Sequence, residues 1–328
     1  MHKNTLFFDK DIDFKIIESK RIGIIGYGNQ GKAQALNLKD SGLNIKVGVR
    51  NVDSISNRYE GMDYNSIENV SSWADIISIL VPDSAIPHVF NKQIKPYLQE
   101  KDTILFSHGY NITYNLITPP GNIDVIMVAP SGGGQMVRDE YIKGRGVPAL
   151  IAVDQNYSGN ALDIAKSYSK GIGSTRVCAF LSTFKEETET DLFGEQALLT
   201  GGLPMMIEKS LKVLLEDGYS PIVAWFVCYY EIKMIVDLFH SKGLDYLYKA
   251  ISDTARYGGI TSGKYLIDDN YESKLKHILQ KIKSGEFKKE LEEKVDSISY
   301  KSSLNKENIE QVREIMNILF SDSNSNKL

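Results

Sequence analysis

Five carboxylates crowd into ten residues near the middle of the chain, in the segment EETETDLFGE at 186–195. Asp191 and Glu195 are four residues apart, so a helix would place both on one face. Like charges at that spacing repel each other unless a cation lies between them. Mg²⁺ typically takes one or two carboxylates and keeps several waters. The spacing therefore predicts that Asp191 and Glu195 hold a magnesium ion.

Glu231 is a further acid, in the segment YYEIKMIVDL, where apolar residues recur at helical spacing. An acid is out of place on such a helix, so we predict that Glu231 is a metal ligand or a catalytic group. The other acids of the first segment are typical of a solvated helix N-terminus, and this structural role is the favoured one for Glu186, Glu187 and Glu189.

His108 follows a short apolar run in the segment TILFSHG, which predicts a β-strand. Ligands of open α/β sheets bind at the carboxyl ends of the strands. His108 is therefore placed to orient or polarise a substrate, or to contact a nicotinamide. A structural histidine is an alternative of equal weight.

A GxGxxG motif follows another apolar run and consists of Gly26, Tyr27, Gly28, Asn29, Gln30 and Gly31. It stands between a predicted strand and a predicted helix, which is the context that dinucleotide binding requires. Gly26 permits the tight turn, Gly28 lets a pyrophosphate approach the backbone, and Gly31 lets the helix pack closely on the strand. The helix N-terminus offers N–H groups to the phosphates. A glycine-rich turn without a ligand is the less favoured alternative.

The next predicted strand ends at Arg50, where a dinucleotide-binding fold contacts the adenosine ribose. A cation at this position suits the 2′-phosphate of NADPH, and an acid suits the 2′-hydroxyl of NADH. The chain offers both, because Asp53 and Ser54 follow Arg50 closely. We predict that these three residues contact the cofactor, and their charges leave its identity open.

Apolar runs rich in β-branched residues recur at 21–31, 44–50, 75–81, 103–109, 124–130 and 148–153. Helical or loop segments separate them, which predicts a doubly wound parallel sheet with helices on both faces. After about residue 180, long segments have apolar residues three and four apart and end at glycines. We predict a Rossmann-like NAD(P)-binding domain over residues 1–181 and a helical domain over residues 182–328.

The chain has 328 residues and a formal net charge of −4, so neither nucleic acid nor an anionic membrane is expected as a partner. Cys178 and Cys228 lack metal-binding or redox spacing, which favours two free thiols in a reducing cytoplasm. No apolar run reaches the roughly 18 residues of a membrane helix, and the N-terminus lacks the pattern of a signal peptide. We therefore expect a cytoplasmic protein.

Several segments resemble the short form of ketol-acid reductoisomerase, namely GYGNQGKAQALNLKDSG, SHGYNI, VRDEYIKGRGVPALIAV, STFKEETETDLFGEQALLTGG and YYEIKMIVDL. The resemblance implies an NAD(P)H enzyme of branched-chain amino-acid synthesis. Such an enzyme shifts an alkyl group of a 2-hydroxy-2-alkyl-3-oxo acid with the help of two Mg²⁺ ions, and then reduces the resulting 2-oxo acid. The resemblance also implies a knotted helical domain and sites built by two subunits, hence a homodimer or a larger homo-oligomer.

The same resemblance assigns roles to individual residues. It implies that Asp191 bridges two metal ions, that Glu195 binds the first ion, and that Glu231 lies on the side of the second. It implies that His108 is an active-site histidine and that Ser252 holds the carboxylate of the substrate. Further cofactor contacts are implied for residues 26–31, Arg50, Pro82, Asp83 and Gly134.

The chain departs from the family in the loop APSGGGQ, which carries no acid, base or metal ligand. The family has a lysine where Ser131 stands, beside the metals and the substrate oxygens. It has a carboxylate where Val227 stands, one turn before Glu231. Neither a hydroxyl nor a valine replaces those charges, so the sequence supports one Mg²⁺ at Asp191 and Glu195 and argues against a second.

The cofactor loop also differs, because Asp53 and Ile55 stand where the family has hydroxyl residues that hold the 2′-phosphate. Asp53 would repel that phosphate, which tilts the expectation slightly towards NADH, although Arg50 opposes it. The favoured function is a reductase of this family that acts on a 2-oxo acid or a related small substrate, with a weakened or lost alkyl shift. A functional ketol-acid reductoisomerase is the first alternative, and a non-catalytic dinucleotide-binding protein is the second.

Overall fold

The apolar runs of the first half form strands of one sheet in the computed structural model, which describes residues 6–54, 59, 61–294 and 297–321. Among these residues the strands are β1 Leu6–Phe7, β2 Arg21–Ile25, β3 Asn44–Val49, β4 Asp63–Ser66, β5 Ile76–Ile79, β6 Thr103–Phe106, β7 Asp124–Pro130, β8 Ala149–Gln155 and β9 Ala179–Leu181. The six longer apolar runs each contain a strand, as predicted. The sequence does not predict β1, β4 and β9, because such short strands carry too little alternation to be recognised.

The strands lie in the order β1-β9-β8-β7-β6-β5-β2-β3-β4, and all neighbours from β7 to β4 are parallel. This confirms the predicted α/β class. The sheet is not purely parallel, because β8 runs antiparallel to β7 and β1 runs antiparallel to β9. The chain leaves β7 at Pro130 and returns beside the same end, where Ala149 pairs with Pro130.

Helices cover both faces of this sheet. They are α1 Lys15–Glu18, α2 Asn29–Asp40, α3 Ile67–Trp73, α4 Ile86–Val89, α5 Tyr110–Thr113, α6 Gly134–Ile142, α7 Ala161–Gly171 and α8 Phe184–Gly194. Ile24 packs with Leu38 of α2 and Tyr168 of α7 in one core, whereas Ile25 packs with Val70 of α3 in the other. Adjacent residues of a strand thus pack in opposite cores, because successive side chains of a strand point to opposite faces of the sheet.

The order of the strands reverses at β2, which pairs with β3 on one side and with β5 on the other. Because these strands are parallel, the segments that follow Ile25, Val49 and Ile79 all begin at one edge of the sheet. Ligands of open α/β sheets bind at such a reversal, outside the carboxyl ends of the strands. The fold therefore brings the glycine-rich motif, Arg50 and Pro82 to one place.

The chain divides into two units, residues 1–190 and 191–328, and α8 runs across the division. The sequence placed the boundary between residues 181 and 182. The described part of the second unit contains helices and no strand, and these are α9 Gly202–Glu216, α10 Pro221–Trp225, α11 Glu231–Lys242, α12 Leu244–Ala250, α13 Asp253–Leu266, α14 Asp269–Ser284, α15 Glu286–Lys294 and α16 Lys306–Ser321. The indole of Trp225 is fully buried and stacks on Tyr229, with ring centroids 5.3 Å apart.

Within the described residues, no helix has the length and apolar character that crossing a membrane requires.

Asp102 is a buried acid directly before β6, at the amino-terminal edge of the parallel strands. Its Oδ2 accepts a hydrogen bond from the backbone N–H of Gln99 at 2.7 Å. Burial nevertheless raises the pKa of this carboxyl from 3.8 to about 6, with a further contribution from the negative charge of Asp75. The folded state therefore holds a proton that the unfolded chain releases between about pH 4 and pH 6. The stability that this proton confers is present below pH 4 and is lost as the pH rises through 6.

We expect Asp102→Asn to increase the free energy of unfolding at pH 8 by about 2 to 3 kcal/mol, because the neutral amide removes the cost of a buried charge. The same variant should differ little from the wild type at pH 4. Denaturant unfolding at both pH values measures this difference. Asp163→Asn is the control, since the half-exposed carboxylate of Asp163 pairs with Lys166 near the surface and should change stability by less than about 1 kcal/mol at either pH. An Asp102→Asn variant less stable than the wild type at pH 8 would contradict the prediction.

Candidate active site

Each of the three glycines of the GxGxxG motif is explained by a different structural constraint. Gly26 has φ +101°, and a Cβ there would lie 2.7 Å from the carbonyl oxygen of Leu80. A Cβ at Gly31 would overlap the carbonyl oxygen of Gly26, so the fold itself requires both glycines. A Cβ at Gly28 would meet nothing within 4 Å, and the backbone there is extended. The fold does not require Gly28, which leaves close approach of a ligand as the physical reason for this residue.

A cavity of about 1010 Å³ lies at the reversal of the strand order. Five of the predicted cofactor residues line it, namely Gly26, Tyr27, Gly28, Arg50 and Pro82. Asn29, Gln30 and Gly31 begin helix α2, directly after these glycines. The sequence reasoning missed His88 and Gln93, which also line the cavity from the segment after β5. No motif marks these two residues, and only the folded structure reveals them, where the amide of Gln93 donates to Glu68 of α3 at 2.7 Å.

The cofactor loop after β3 separates the two charges that the sequence placed together. Arg50 lies in the wall of the cavity, whereas Asp53 is exposed and is not among the described residues of that wall. Asp53 lies in the short turn Val52–Ser54, where its N–H donates to the side chain of Asn51. The side chain of Ser54 and the whole of Ile55 lie outside the described residues.

Asp83 and Gly134 fix two further loops at the same edge of the sheet. The amide of Asn111 donates to the carbonyl of Asp83 at 3.2 Å and to its carboxylate at 3.3 Å. Gly134 begins α6, where a Cβ would overlap the carbonyl oxygen of Asn29 in the first turn of α2. The N-termini of α2 and α6 therefore meet backbone to backbone, and both present N–H groups near the glycine-rich motif.

His108 follows β6 and is held by a carboxylate. Its Nδ1 lies 2.9 Å from Oε1 of Glu187, and the other oxygen of Glu187 accepts the N–H of Gly109 at 2.8 Å. Because an ionised carboxylate only accepts hydrogen bonds, Nδ1 is the donor and Nε2 carries the lone pair of the neutral ring. The pair fixes both the orientation and the tautomer of His108.

Glu187 corrects the sequence prediction, which assigned it to a solvated helix N-terminus. Only 3% of Glu187 is exposed, whereas its neighbour Glu186 is exposed and accepts a hydrogen bond from Ser182. Phe184, Glu187 and Thr188 lie on the buried face of α8. Their spacing of three and four residues is the signal that identifies Glu187, because an acid flanked by buried neighbours at helical spacing cannot be solvated.

Two of the three predicted metal ligands, Glu195 and Glu231, lie where the helix geometry changes. Asp191 is on α8, and Glu195 begins the π-helical segment Glu195–Leu199 that continues it. Glu231 begins α11 directly after a second π-helical segment, Phe226–Tyr230. Such segments occur frequently at functional sites.

Ser252 caps α13, with its Oγ accepting the N–H of Ala255 at 3.2 Å. The hydroxyl proton is still available in chemical terms, since a capping serine uses only an oxygen lone pair. Val227 lies inside the second π-helical segment and is 47% exposed. It is followed by Tyr229 and Tyr230, which pack on Trp225. The segment Phe226–Tyr230 itself contains no carboxylate.

Two family models match the chain. Residues 16–178 match the NADPH-binding domain of acetohydroxy acid isomeroreductase, and residues 184–319 match the C-terminal domain of ketol-acid reductoisomerase. Ketol-acid reductoisomerase (NADP(+)) from Methanocaldococcus jannaschii is 48% identical over 287 residues, which cover 87% of each chain. The enzyme of the same name from Pyrococcus abyssi is 46% identical over 296 residues, which cover 90% of this chain and 89% of the relative.

A solved structure gives the same result. The NADH-preferring ketol-acid reductoisomerase from an uncultured archaeon has a TM-score of 0.84 and 35% identity, with 98% of this chain and 95% of that chain covered. The family models together span most of the chain, and the identity to curated relatives is high over nearly its whole length. The chain therefore belongs to the ketol-acid reductoisomerase family of NAD(P)H-dependent oxidoreductases.

Proposed function

We propose that the protein is a ketol-acid reductoisomerase that binds NAD(P)H in the cavity behind the glycine-rich motif and reduces a small 2-oxo acid. The single observation that carries this proposal is Gly28, which the fold does not require and whose missing side chain leaves room for a phosphate. The close relatives named above support the reaction. They support the complete two-step reaction better than a reductase that lacks the alkyl shift.

The described residues fit a dinucleotide. Helix α2 begins directly after the cavity residues Gly26, Tyr27 and Gly28, so its N-terminus offers N–H groups there, and the wall of the cavity carries Arg50. When bound, the cofactor would supply the hydride for the reduction. The residues of the chain would hold it through the backbone at residues 26–31, and Tyr27 and Pro82 would exclude water from its surroundings.

His108 and Glu187 form the part of the site that would handle protons. Glu187 holds Nδ1, so Nε2 of His108 is the atom that would accept a hydrogen bond from a substrate or move a proton. Ser252 would donate its hydroxyl proton to the carboxylate of the substrate while its oxygen caps α13. These assignments are part of the proposal.

Magnesium fits the oxygen donors of Asp191 and Glu195, which lie one turn apart on a continuous helical run. Glu231 is proposed as a further ligand. When bound, the ion would polarise the oxygens of the substrate. We propose one Mg²⁺ on Asp191 and Glu195, with Glu231 as the residue that decides whether a second ion binds.

A second copy of the chain is proposed as the partner of the helical unit. Helix α11 exposes several large apolar side chains, including Met234, Ile235 and Val236. An apolar surface of this kind is unfavourable in water by roughly 25 cal/mol per Å², so an isolated chain would expose it at a cost. A homodimer or a larger homo-oligomer would bury it, and the knotted path that the family resemblance implies remains a prediction.

A reductase of the same family without the alkyl shift is the second candidate. Ser131 and Val227 favour it, because the shift needs charges that hold two substrate oxygens and neither residue supplies one. Hydride transfer needs only a held cofactor, an oriented acceptor and stabilisation of the developing charge. The two candidates therefore agree on the reduction and differ on the rearrangement.

One experiment separates the candidates. The enzyme is given NADPH, Mg²⁺ and either 2-acetolactate or the already isomerised 3-hydroxy-2-oxo acid. Oxidation of NADPH with both substrates supports the complete reaction. Oxidation with the isomerised acid alone supports the second candidate, and Ser131→Lys combined with Val227→Glu should then restore turnover of 2-acetolactate. Cofactor binding without turnover of either acid would overturn both candidates in favour of a binding protein.

Gly28→Ala tests the observation on which the proposal rests. We expect the variant to keep the melting temperature of the wild type, because the new Cβ meets no protein atom within 4 Å. The dissociation constant for NAD(P)H should rise at least about tenfold, because the methyl group occupies the approach of the phosphate. Fluorescence titration of the reduced cofactor measures this. An unchanged dissociation constant would show that Gly28 does not face the cofactor.

We propose NADPH as the preferred cofactor, in place of the slight preference for NADH that Asp53 suggested, because Arg50 rather than Asp53 lines the cavity. Arg50→Ala should raise the KM for NADPH by about 10- to 100-fold, the effect of losing a charge-assisted bond, and the KM for NADH by less than about threefold. Steady-state kinetics with both cofactors give the ratio. Arg145→Ala is the control, since Arg145 pairs with Glu140 at the end of α6. Equal effects of Arg50→Ala on both cofactors would favour NADH recognition through Asp53.

A further inference from the structure

A chain of hydrogen bonds crosses the first unit and is not used by the proposed reaction. It joins β5, α7, α2, the end of β6 and the loop after β7, through Ser78, Tyr168, Gln34, Gln30, Ser107 and the carbonyl of Gly132. Three of its members, Ser78, Tyr168 and Gln34, have no exposed surface. Burying so many polar side chains is unfavourable unless each of them is hydrogen-bonded, so the presence of polar residues at these core positions needs an explanation.

The donor and acceptor roles in this series of hydrogen bonds are fixed at one end. The carbonyl of Gly132 can only accept, so the amide nitrogen of Gln30 donates to it at 2.8 Å. Oε1 of Gln30 is therefore an acceptor, and it takes a hydrogen bond from the amide nitrogen of Gln34 at 3.1 Å. The same nitrogen donates its other hydrogen to Ser107 Oγ at 3.0 Å. Both donors of Gln34 are thus committed.

The other end is fixed by a tyrosine. Oε1 of Gln34 can only accept, so it takes the single hydroxyl proton of Tyr168 at 2.9 Å. Because that proton is then committed, the Ser78 hydroxyl is the donor in the 3.1 Å contact between Ser78 and Tyr168. Burial raises the pKa of the Tyr168 hydroxyl, so this group keeps its proton and remains a donor. The amide of Gln34 consequently has one orientation that satisfies its neighbours, and reversing it would place two acceptors or two donors against each other.

Gln34 is the branch point of this chain. One branch reaches Gln30, in the glycine-rich motif, and continues to the loop that contains Ser131. The other branch reaches Ser107, which immediately precedes His108. Two segments of the site that come from different strands therefore share one rigid buried donor.

We propose that Gln34 is a positioning residue that couples the dinucleotide-binding loops to the strand end that carries His108. The inference rests on the proposed function, since it assigns cofactor binding to the glycine-rich motif. Gln34 touches neither reacting group, and it acts by holding Gln30 and Ser107 in a single arrangement. Loss of its amide should therefore weaken cofactor binding and slow turnover together.

Gln34→Met tests this, because methionine has a similar volume and no donor or acceptor of comparable strength. Asn37→Met is the matched control. Asn37 is a fully buried amide one turn further along α2, and it binds the carbonyls of Val137 and Ile172. Both variants should lose a comparable amount of thermal stability. Gln34→Met alone should raise the dissociation constant for NADPH about tenfold and lower kcat about fivefold or more, since small misplacements of reacting groups are costly.

A double-mutant cycle adds a readout that a purely structural role would not change. If Gln34 acts through Gln30, the combined variant Gln30→Met with Gln34→Met should bind NADPH no more weakly than the worse single variant. Adding Asn37→Met to Gln30→Met should leave the dissociation constant at the value of Gln30→Met alone, because the amide nitrogen of Asn37 binds the carbonyls of Val137 and Ile172. Where Gln34→Met does not fold, Tyr168→Phe replaces it, because it removes the donor to Gln34, together with the bond to Ser78, and keeps the ring; it should raise the dissociation constant about two- to fivefold.

The outcomes separate the inference from the function on which it rests. A wild-type protein that fails to bind NADPH or NADH in direct titration overturns the proposed function itself. A wild type that binds, together with equal effects of Gln34→Met and Asn37→Met on affinity and kcat, overturns the positioning role. Multiplying effects in the Gln30 and Gln34 pair overturn the coupling through Gln30.

Discussion

Replacing Glu187 with glutamine should lower kcat at least about 100-fold while the protein remains folded, because glutamine keeps the shape of the side chain but reverses its role towards His108. Glutamine can still accept the N–H of Gly109 with its oxygen. Its amide group then faces Nδ1 of His108 as a donor. Nδ1 must then be an acceptor, so the ring proton lies on Nε2 and His108 is in the wrong tautomer.

The rate of NADPH oxidation at saturating substrate measures this effect, and the melting temperature confirms folding. Glu186→Gln is the matched control, because Glu186 is the adjacent exposed acid on α8 and its carboxylate accepts a hydrogen bond from the hydroxyl of Ser182. It should retain kcat within about twofold. If Glu187→Gln kept full activity, His108 would not need its tautomer fixed, and the structural alternative for this histidine would be correct.

Gly134→Ala is expected to have the largest effect on stability. The added methyl group would overlap the carbonyl of Asn29 and approach the N–H of Gln30 to 2.8 Å, and both are backbone atoms of α2. Backbone cannot yield as a flexible side chain does, so α2 and α6 must separate. Overpacking of this kind costs about 3 kcal/mol or more. We expect a melting temperature lower by about 6 to 12 °C, or failure to fold.

Gly133→Ala is a close control for this prediction. Gly133 has φ −61°, and a Cβ there would meet nothing within 4 Å. Alanine at this position should leave the melting temperature unchanged or raise it slightly, because it restricts the unfolded chain. Thermal unfolding of the two variants, side by side, isolates the contact between the two helices. Equal melting temperatures would mean that α6 can shift away from α2 at little cost.

The sequence predicted the features that depend on local pattern. The glycine-rich motif, the strand before it and the helix after it could be placed because glycine positions and apolar periodicity act over a few residues. The direction of β8 could not be predicted, since it depends on where the chain returns after α6. Glu187 was misassigned for a related reason, because its burial depends on the partner His108, 79 residues earlier in the chain.

The cofactor loop shows another limit of sequence reasoning. Arg50 and Asp53 are three residues apart, and their charges alone give opposite answers about the cofactor. Only the path of the backbone after β3 decides which of them lines the cavity, and that path depends on the turn at Val52–Ser54. The sequence therefore shows the charges of Arg50 and Asp53, but only the fold shows which of them can reach a ligand in the cavity.

The backbone contact between Gly134 and Asn29 has a consequence for how this scaffold can diversify. The loop that contains Ser131 is tied to the glycine-rich motif by the backbone contact of Gly134 with Asn29 and by the hydrogen bond from the Gln30 side chain to the carbonyl of Gly132, so an insertion or deletion there would disturb the proposed nucleotide site. Exposed side chains of the loop are under no such constraint, since Ser131 is exposed and its hydrogen bond within the described part of the chain runs from its backbone N–H to the carbonyl of Pro148. Replacement of an exposed side chain in this loop can therefore change the chemical groups offered to a substrate without moving the bound cofactor. Single replacements would in this way give the same fold access to new reactions.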